Sequence, residues 1–173
     1  WMVFQGVDPD TGIVSVKRGA LDTQPQEWDL SLKLYFCGTD VAYDATEYVF
    51  GEKVLVSALT TTPSGMLEQK GSLPVEMKAR AIRPYPPANV KINGEYWPEE
   101  IETDLILTWV DRNRLQQTGG GVLGWYEGGV TIESGTSTYL VLTEYEENQK
   151  ELATNNVNVT GSISYTMPIS SLQ

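Results

Sequence analysis

Apolar and polar residues alternate with a period of two along much of this chain, and no stretch keeps the 3.6-residue period of an amphipathic helix. A period of two is typical of a β-strand with one face buried and the other in water. The alternation predicts strands at residues 13–17, 30–34, 39–43, 53–60, 75–79, 90–92, 105–110, 138–145, 155–159 and 162–167. We therefore predict an all-β fold.

A proline-rich segment divides the predicted strands into two groups. Three of the residues 84–87 are proline, which excludes helix and favours a stiff, extended connection, because proline fixes φ and has no N–H donor. Asn93 and Gly94 follow the next strand and form a strong turn pair, since both residue types tolerate positive φ. We therefore predict two β domains, at residues 1–82 and 83–173.

The second predicted domain resembles a fibronectin type III or immunoglobulin-like sandwich, with residues 90–92, 105–110 and 139–145 as its first three strands. Trp109 lies on the apolar face of the second of these strands, so we expect it in the core. A sandwich of this type needs about seven strands, and the sequence offers about five. We therefore expect a domain that is incomplete at its C-terminus, with open sheet edges that favour dimers, strand exchange or aggregation.

Charge and composition exclude several classes of function. The 173 residues carry a net charge of -11, from 23 Asp and Glu against 12 Lys and Arg, which opposes binding to nucleic acid and to anionic lipid. The chain has no histidine, so imidazole catalysis and His-containing zinc sites are excluded. No apolar run approaches the roughly 20 residues that span a bilayer. We expect no nucleic-acid partner, no membrane insertion, no metal, no cofactor and no enzymatic activity.

The single cysteine and the first residue bear on the cellular context. Cys37 has no second cysteine to pair with, which fits synthesis in a reducing compartment, and we predict that it is a small buried side chain. The chain begins at Trp1 without an initiator methionine, and its first residues do not form a secretion signal. We therefore expect an excerpt from a longer protein.

Three polar loops invite a chemical interpretation, and in each the simpler alternative is favoured. Residues 8–12 are rich in Asp, but Gly12 stands at the wrong offset from Asp8 for an EF-hand calcium loop, which favours a plain turn. Residues 99–104 concentrate carboxylates as glycosidase sites do, although acidic loops between strands are common. Residues 118–121 are glycine-rich but lack the Gly-Lys-Ser/Thr ending of a phosphate-binding loop, which favours an ordinary loop.

Three aromatic residues, Trp97, Trp125 and Tyr126, lie in predicted loops. Exposed aromatic side chains in loops are typical of surfaces that bind a partner. We take these three as candidate contacts for a partner or receptor. The alternative is that they pack inward onto the sheet or against a neighbouring subunit, and the exposure of the side chains distinguishes the two.

Several short motifs resemble, in their order and spacing, those of the tail proteins of tailed bacteriophages. The motifs are Arg18-Gly19-Ala20-Leu21-Asp22-Thr23 with Pro25, Tyr48, Gly51-Glu52-Lys53-Val54, Leu59-Thr60, Thr62-Pro63-Ser64-Gly65, Arg83-Pro84-Tyr85-Pro86-Pro87-Ala88-Asn89-Val90 with Gly94, Leu107-Thr108-Trp109, Arg112-Asn113-Arg114 and Tyr139-Leu140-Val141. Together they span most of the chain. The family often has a histidine where this chain has Trp28, so any role of that histidine is absent here.

The resemblance implies a structural part of a virion rather than an enzyme. In that family these segments belong to large hub or tip proteins at the distal end of the tail, some of them related to host-specificity proteins. The implied location is the baseplate hub, tail tip or fibre attachment region, where the chain contributes to tail assembly and host attachment. The implied partners are other tail proteins and further copies of the same chain, after synthesis in the cytoplasm of the host bacterium. No catalytic residues follow from it.

A second function stays open at this point. A module that binds a receptor or carbohydrate on the host surface would use loops that carry Trp97, Trp125 and Tyr126. For such a module the three side chains would form one solvent-facing patch.

Overall fold

The computed structural model describes residues 1–38, 42–59, 61–66, 68, 71–116, 121–146 and 148–171. Within these ranges the strands are β1 (Met2–Val7), β2 (Val14–Arg18), β3 (Lys53–Val56), β4 (Thr61–Thr62), β5 (Gly65–Met66), β6 (Leu73–Glu76), β7 (Ala88–Ile92), β8 (Leu105–Val110), β9 (Tyr139–Tyr145), β10 (Glu151–Asn158) and β11 (Ser164–Met167). A single 3₁₀ turn, Ile169–Ser171, is the only helical element in the described residues. The predicted all-β fold is confirmed.

The chain forms two compact units. The larger unit comprises Trp1–Glu27 together with Pro84–Gln173, and the smaller unit comprises Trp28–Arg83. This division differs from the predicted domains at residues 1–82 and 83–173, because the N-terminal segment belongs with the C-terminal half. Hydrogen bonds between positions far apart in sequence cause the difference, and a local pattern of apolar residues does not reveal them.

The larger unit contains three antiparallel sheets in the described residues, with the strand orders β11-β8-β7, β1-β2 and β10-β9. The predicted turn after β7 is confirmed, since Asn93 and Gly94 have φ angles of 50° and 85°. Ile92 and Glu95 flank this turn and exchange both backbone hydrogen bonds, at 2.8 and 2.9 Å. Positive φ at both central residues is the requirement of the type I′ turn that matches strand twist.

The core of the larger unit lies at β7 and β8. Trp109 on β8 is 6% exposed, and Ala88 on β7 is fully buried. The N–H group of Trp109 also donates to the carbonyl of Ile163 at 3.0 Å, next to β11. The prediction that Trp109 is a core residue is confirmed. Its indole Nε1 is buried and has no hydrogen-bond partner in the described residues, so the ring is held by packing.

The N-terminal hairpin pairs β1 with β2. β2 confirms the strand predicted at residues 13–17. β1 is not predicted, because it begins in the apolar run of residues 1–4, which has no period-two pattern. The loop between the strands is the predicted plain turn, in which the Asp8 carboxylate accepts hydrogen bonds from the backbone N–H groups of Asp10 and Thr11 at 2.9 and 3.2 Å. These bonds lower the pKa of Asp8.

The smaller unit consists of two antiparallel pairs, β3 with β6 and β4 with β5. None of its described residues is buried. The strand predicted at residues 53–60 ends at Val56, and the one predicted at residues 75–79 ends at Glu76, before the positive φ of 52° at Ala79. The strand predicted at residues 53–60 has apolar residues on both faces, so both faces would need to be covered by other elements. A sheet of two strands, β3 and β6, does not provide that cover.

Two further predictions fall in the smaller unit. Residues 30–34 form no strand, and the strand predicted at residues 39–43 lies largely outside the described residues. Cys37 is exposed, so the prediction of a small buried side chain is wrong. Burial of a thiol requires a packed core around it, and the described part of this unit has no buried residue.

Candidate functional site

Arg112 lies two residues after the end of β8 and is, with Asn113, one of two buried polar residues in the described part of the larger unit. Its side chain is 4% exposed. Nη1 and Nη2 donate hydrogen bonds to the carbonyl oxygen of Gly19 at 3.2 and 3.3 Å, and Nη2 also donates to the carbonyl of Leu21. We call these three residues the Arg112 junction. They fasten the end of β2 to the end of β8.

The backbone at residues 19–21 is shaped to receive the guanidinium. Gly19 and Leu21 both have positive φ, at 62° and 55°, and the carbonyl oxygens of both accept hydrogen bonds from Arg112. A Cβ atom on Gly19 would lie 2.8 Å from Pro25 Cδ and 2.8 Å from Trp125 Cβ. Glycine is therefore required at this position for two reasons: its positive φ and the close approach of Pro25 and Trp125.

Burial lowers the pKa of Arg112, whereas the charges of Tyr85 and Asp22 raise it. Arginine keeps its proton in proteins, so the junction contains a buried cation. The Tyr85 ring lies 5.9 Å from Arg112 Cζ, within the range of a cation–π contact. Burial in turn raises the pKa of Tyr85.

A cleft of about 440 Å³ lies beside the Arg112 junction. Its lining comes from the proline-rich segment, the end of β8 and the loop before β9, and consists of Pro84, Tyr85, Pro86, Pro87, Asp111, Arg112, Ile132, Glu133, Gly135, Thr136, Ser137, Thr138 and Tyr139. The proline segment is therefore one wall of this cleft. That position gives the stiff extended backbone a local packing role in the larger unit.

Two of the charged groups that line the cleft, Arg112 and Glu133, are already engaged in the fold. Glu133 accepts a bidentate pair of hydrogen bonds from Arg114, at 2.7 and 3.3 Å. Arg112 Nε has no hydrogen-bond partner in the described residues, but it also has no accessible surface, so a molecule in the cleft does not reach it. Burial raises the pKa of Asp111. The bonds of Arg112 and Glu133 thus stabilise the walls of the cleft.

The loop that carries Trp125 is attached to β2. The N–H group of Trp125 donates to the Arg18 carbonyl at 2.8 Å, and Trp125 Cβ packs against Gly19. Glu127 forms an ion pair with Lys17 at 2.9 Å and accepts a hydrogen bond from the backbone N–H of Gly124 at 2.8 Å. Both contacts lower the pKa of Glu127. Trp125 is partly buried and therefore belongs to this attachment.

The other two aromatic candidates are exposed. Trp97 is 92% exposed and Tyr126 is 56% exposed. The ring of Tyr126 meets Tyr96, the neighbour of Trp97, edge to face at a centroid distance of 6.2 Å. Tyr96 donates its hydroxyl to Asn89 at 2.6 Å and lies under Lys91 Nζ at 5.0 Å. We call Tyr96, Trp97 and Tyr126 the aromatic cluster.

The structure therefore separates the three residues that the sequence grouped together. Tyr126 is joined to the segment of Trp97 through Tyr96, while Trp125 turns towards Arg18 and Gly19. That these residues contact a partner stays a prediction. Tyr96 was not predicted from the sequence. Its position two residues after the Asn93-Gly94 turn was the available signal, because a turn brings the residues after it back beside the strand before it.

Arg112 and Asn113 were also missed as buried polar residues. Asn113 Oδ1 accepts hydrogen bonds from the N–H groups of Leu115 and Gln116 at 2.9 and 3.1 Å, and its Nδ2 donates to the Thr131 carbonyl at 3.0 Å. Such bonds between an Asn side chain and the backbone two and three residues later form an Asx turn. The signal was present in the sequence as a polar residue at the end of a buried strand.

The described part of the chain has no group of three or more Cys, Asp or Glu residues that could hold a metal ion. It also has no helix with the length and hydropathy needed to cross a bilayer. Comparison of the sequence with models of protein families gives no match, and comparison with curated proteins finds no relative.

Proposed function

We propose that this chain is a structural component of a bacteriophage tail, located at the distal hub, the tip or the fibre attachment region. The observation that carries the proposal is that the motifs that resemble tail proteins supply most of the buried residues of the fold. Apart from glycine, the buried residues in the described ranges are Ala20, Ala88, Trp109, Val159, Arg112 and Asn113. All except Val159 lie in those motifs.

The roles of these residues support a scaffold. Arg112 holds two backbone carbonyls, Asn113 forms a turn, and Trp109 fills the core. Residues that act in catalysis are usually reachable by a substrate. The buried motif residues instead pack in the core or bond the backbone, as expected of a structural subunit of an assembly.

The surface of the chain supports a subunit that is covered by neighbours. The smaller unit contributes apolar side chains to this surface, among them Leu55, Val56 and Leu73. Large exposed apolar surface is characteristic of proteins that bind other proteins, and tail proteins are such partners.

Immunolabelling of virions tests the proposal. Antibodies against the 173-residue chain are bound to purified particles of the phage that encodes it, and the particles are viewed by electron microscopy. We expect label at the distal end of the tail. Label on the capsid alone, or chain that stays in the lysate and never co-purifies with particles, would contradict the proposal.

A second candidate function, the binding of a receptor or carbohydrate on the host surface, is favoured by the aromatic cluster. Trp97 is 92% exposed and follows Tyr96 in sequence, whose ring pairs with that of Tyr126, and a flat exposed ring is the surface on which a sugar stacks. Binding to an array of bacterial surface glycans tests it. Trp97→Ala should abolish binding, while Trp28→Ala, at a second exposed tryptophan, should not. Equal binding by both variants would contradict the proposal.

A further inference from the structure

The hairpin of β9 and β10 is the longest paired element of the described chain and forms a sheet of only two strands. Its antiparallel register runs from Tyr139 opposite Asn158 to Tyr145 opposite Glu151, with a bulge between Glu151 and Ala153. A hairpin with no third strand is marginally stable in water. Both of its outer edges are unpaired in the described residues.

The hydrogen-bond pattern identifies which backbone groups face outward on β10. The N–H of Val159 donates to the Thr138 carbonyl at 2.9 Å, which marks this pair as hydrogen-bonded. Bonded and non-bonded pairs alternate along an antiparallel ladder. The N–H and C=O groups of Thr154, Asn156 and Asn158 therefore point away from β9, towards the open edge.

After Glu151, at which β10 begins, this edge is unusual for the chain because it carries no charge. Residues 152–161 contain neither acidic nor basic side chains, in a chain with a net charge of -11. They also contain no proline and no lysine, the residues with which natural proteins block exposed edges. Two copies of the chain repel each other over most of their surfaces, and the approach along this edge avoids that repulsion.

The edge is also self-complementary. In an antiparallel pair with a two-fold axis at Asn156, each Asn156 lies opposite its counterpart, and Thr154 lies opposite Asn158 of the second copy. The outward-facing backbone groups of Thr154, Asn156 and Asn158 then form hydrogen bonds with the second copy. No like charges lie opposite each other. The two-fold pairing closes after two copies. It yields a four-stranded sheet, which exceeds the three strands that independent stability requires.

We propose that β10 is the interface of a homodimer, in which two copies of this chain join their β10 edges antiparallel about Asn156. The apolar side chains of Tyr139, Val141 and Tyr145, each more than half exposed, alternate on one face of β9. The two-fold axis places both copies of this face on the same side of the joined sheet. The proposal goes beyond the tail assignment and does not depend on it.

Sedimentation equilibrium of the 173-residue chain tests the proposal with one backbone variant and its control. Asn156→Pro removes the N–H group at the two-fold axis, yet it leaves the bonds to β9 intact because that N–H points outward. We expect wild type at twice the mass of the chain and a weakening of dimerisation by about tenfold or more in this variant. Asn156→Thr keeps the N–H and should dimerise like wild type.

A charge pair controls for misfolding. Thr154→Lys with Asn158→Lys sets like charges opposite each other and should give monomers, whereas Thr154→Lys with Asn158→Glu sets opposite charges there and should restore the dimer. A monomeric wild type at high protein concentration would overturn the proposal. So would an Asn156→Pro dimer as tight as wild type, or equal behaviour of the two charge variants. A wild-type monomer that binds an added extended peptide would assign the edge to a foreign strand instead.

Discussion

The guanidinium of Arg112 bonds the carbonyl oxygen of Gly19 through both terminal nitrogens, at 3.2 and 3.3 Å, across 93 residues of sequence. This side chain joins the two segments of the larger unit, as do the Lys17–Glu127 ion pair and the backbone bond from Trp125 to Arg18. Because the bonds are charge-assisted and buried, their loss leaves the carbonyls of Gly19 and Leu21 without donors in a dry environment.

Arg112→Lys should therefore destabilise the larger unit, although it keeps the charge. A lysine ammonium cannot reproduce the planar fork that holds two carbonyls at once. We expect a loss of about 2–4 kcal/mol in the free energy of unfolding, measured by urea denaturation. Arg83→Lys, at an exposed arginine, is the control and should change stability by less than about 0.5 kcal/mol. Equal effects of the two substitutions would show that the junction is not a structural joint.

Trp109→Ala should destabilise the larger unit by about 3–5 kcal/mol, because it leaves a cavity in the core. Trp109→Phe should cost much less, since it retains most of the ring and removes a buried Nε1–H that has no partner among the described residues. Thermal and urea unfolding monitored by circular dichroism measure both. A loss below about 1 kcal/mol for the alanine variant would place Trp109 outside the core.

Gly19→Ala should destabilise more than Gly12→Ala, although both glycines have positive φ, at 62° and 70°. The cost of the left-handed backbone is common to the two substitutions, at about 1 kcal/mol. Only at Gly19 would the new Cβ lie 2.8 Å from Pro25 and Trp125, while at Gly12 it meets nothing within 4 Å. The difference between the two unfolding free energies isolates the steric term. Equal losses would contradict the close packing around Gly19.

In the smaller unit, hydrogen bonds from Tyr48 and Thr46 lower the pKa of Asp44 from its ordinary value of 3.8 to about 2. The Tyr48 hydroxyl donates at 2.6 Å. Because the folded pKa is depressed, these bonds favour the folded state above pH 3.8, and their contribution is lost as the pH falls through about 2. Tyr48→Phe should raise the pKa of Asp44 towards 3.8, measured by an NMR titration of its side-chain carboxyl.

Tyr43→Phe is the matched control for this titration, since Tyr43 is an exposed tyrosine of the same segment. It should leave the pKa of Asp44 unchanged. A pKa of Asp44 that is the same in wild type and in Tyr48→Phe would show that the hydroxyl bond does not form in solution.

The sequence predicts those features of the fold that depend on neighbouring residues. The Asn93-Gly94 turn follows from the φ preferences of two adjacent residues, and the burial of Trp109 follows from the alternation along β8. The all-β class follows in the same way. Alternation does not reveal whether another sheet covers a strand, so β3 was predicted too long. Cys37 was predicted to be buried from its residue type alone, and residue type does not reveal whether a core surrounds it.

The candidate site is less predictable because it is made by distant segments. The bonds of Arg112 to Gly19 and Leu21 require knowledge of the tertiary fold. The edge-to-face contact of Tyr96 with Tyr126 likewise joins two separate loops. Exposure of Trp97 agrees with its position in a loop, whereas Trp125, next to Tyr126 in sequence, is held against Gly19.

Since no described residue of Trp28–Arg83 is buried, few side chains in this segment are constrained by the need to fold. Substitutions there should accumulate freely over generations, limited mainly by what the segment touches. The residues that enclose Arg112 have no such freedom, because each exchange disturbs a buried bond. Natural variants of the chain should therefore share the Arg112 junction, whereas substitutions between Trp28 and Arg83 should be more frequent at positions outside the short motifs of that segment.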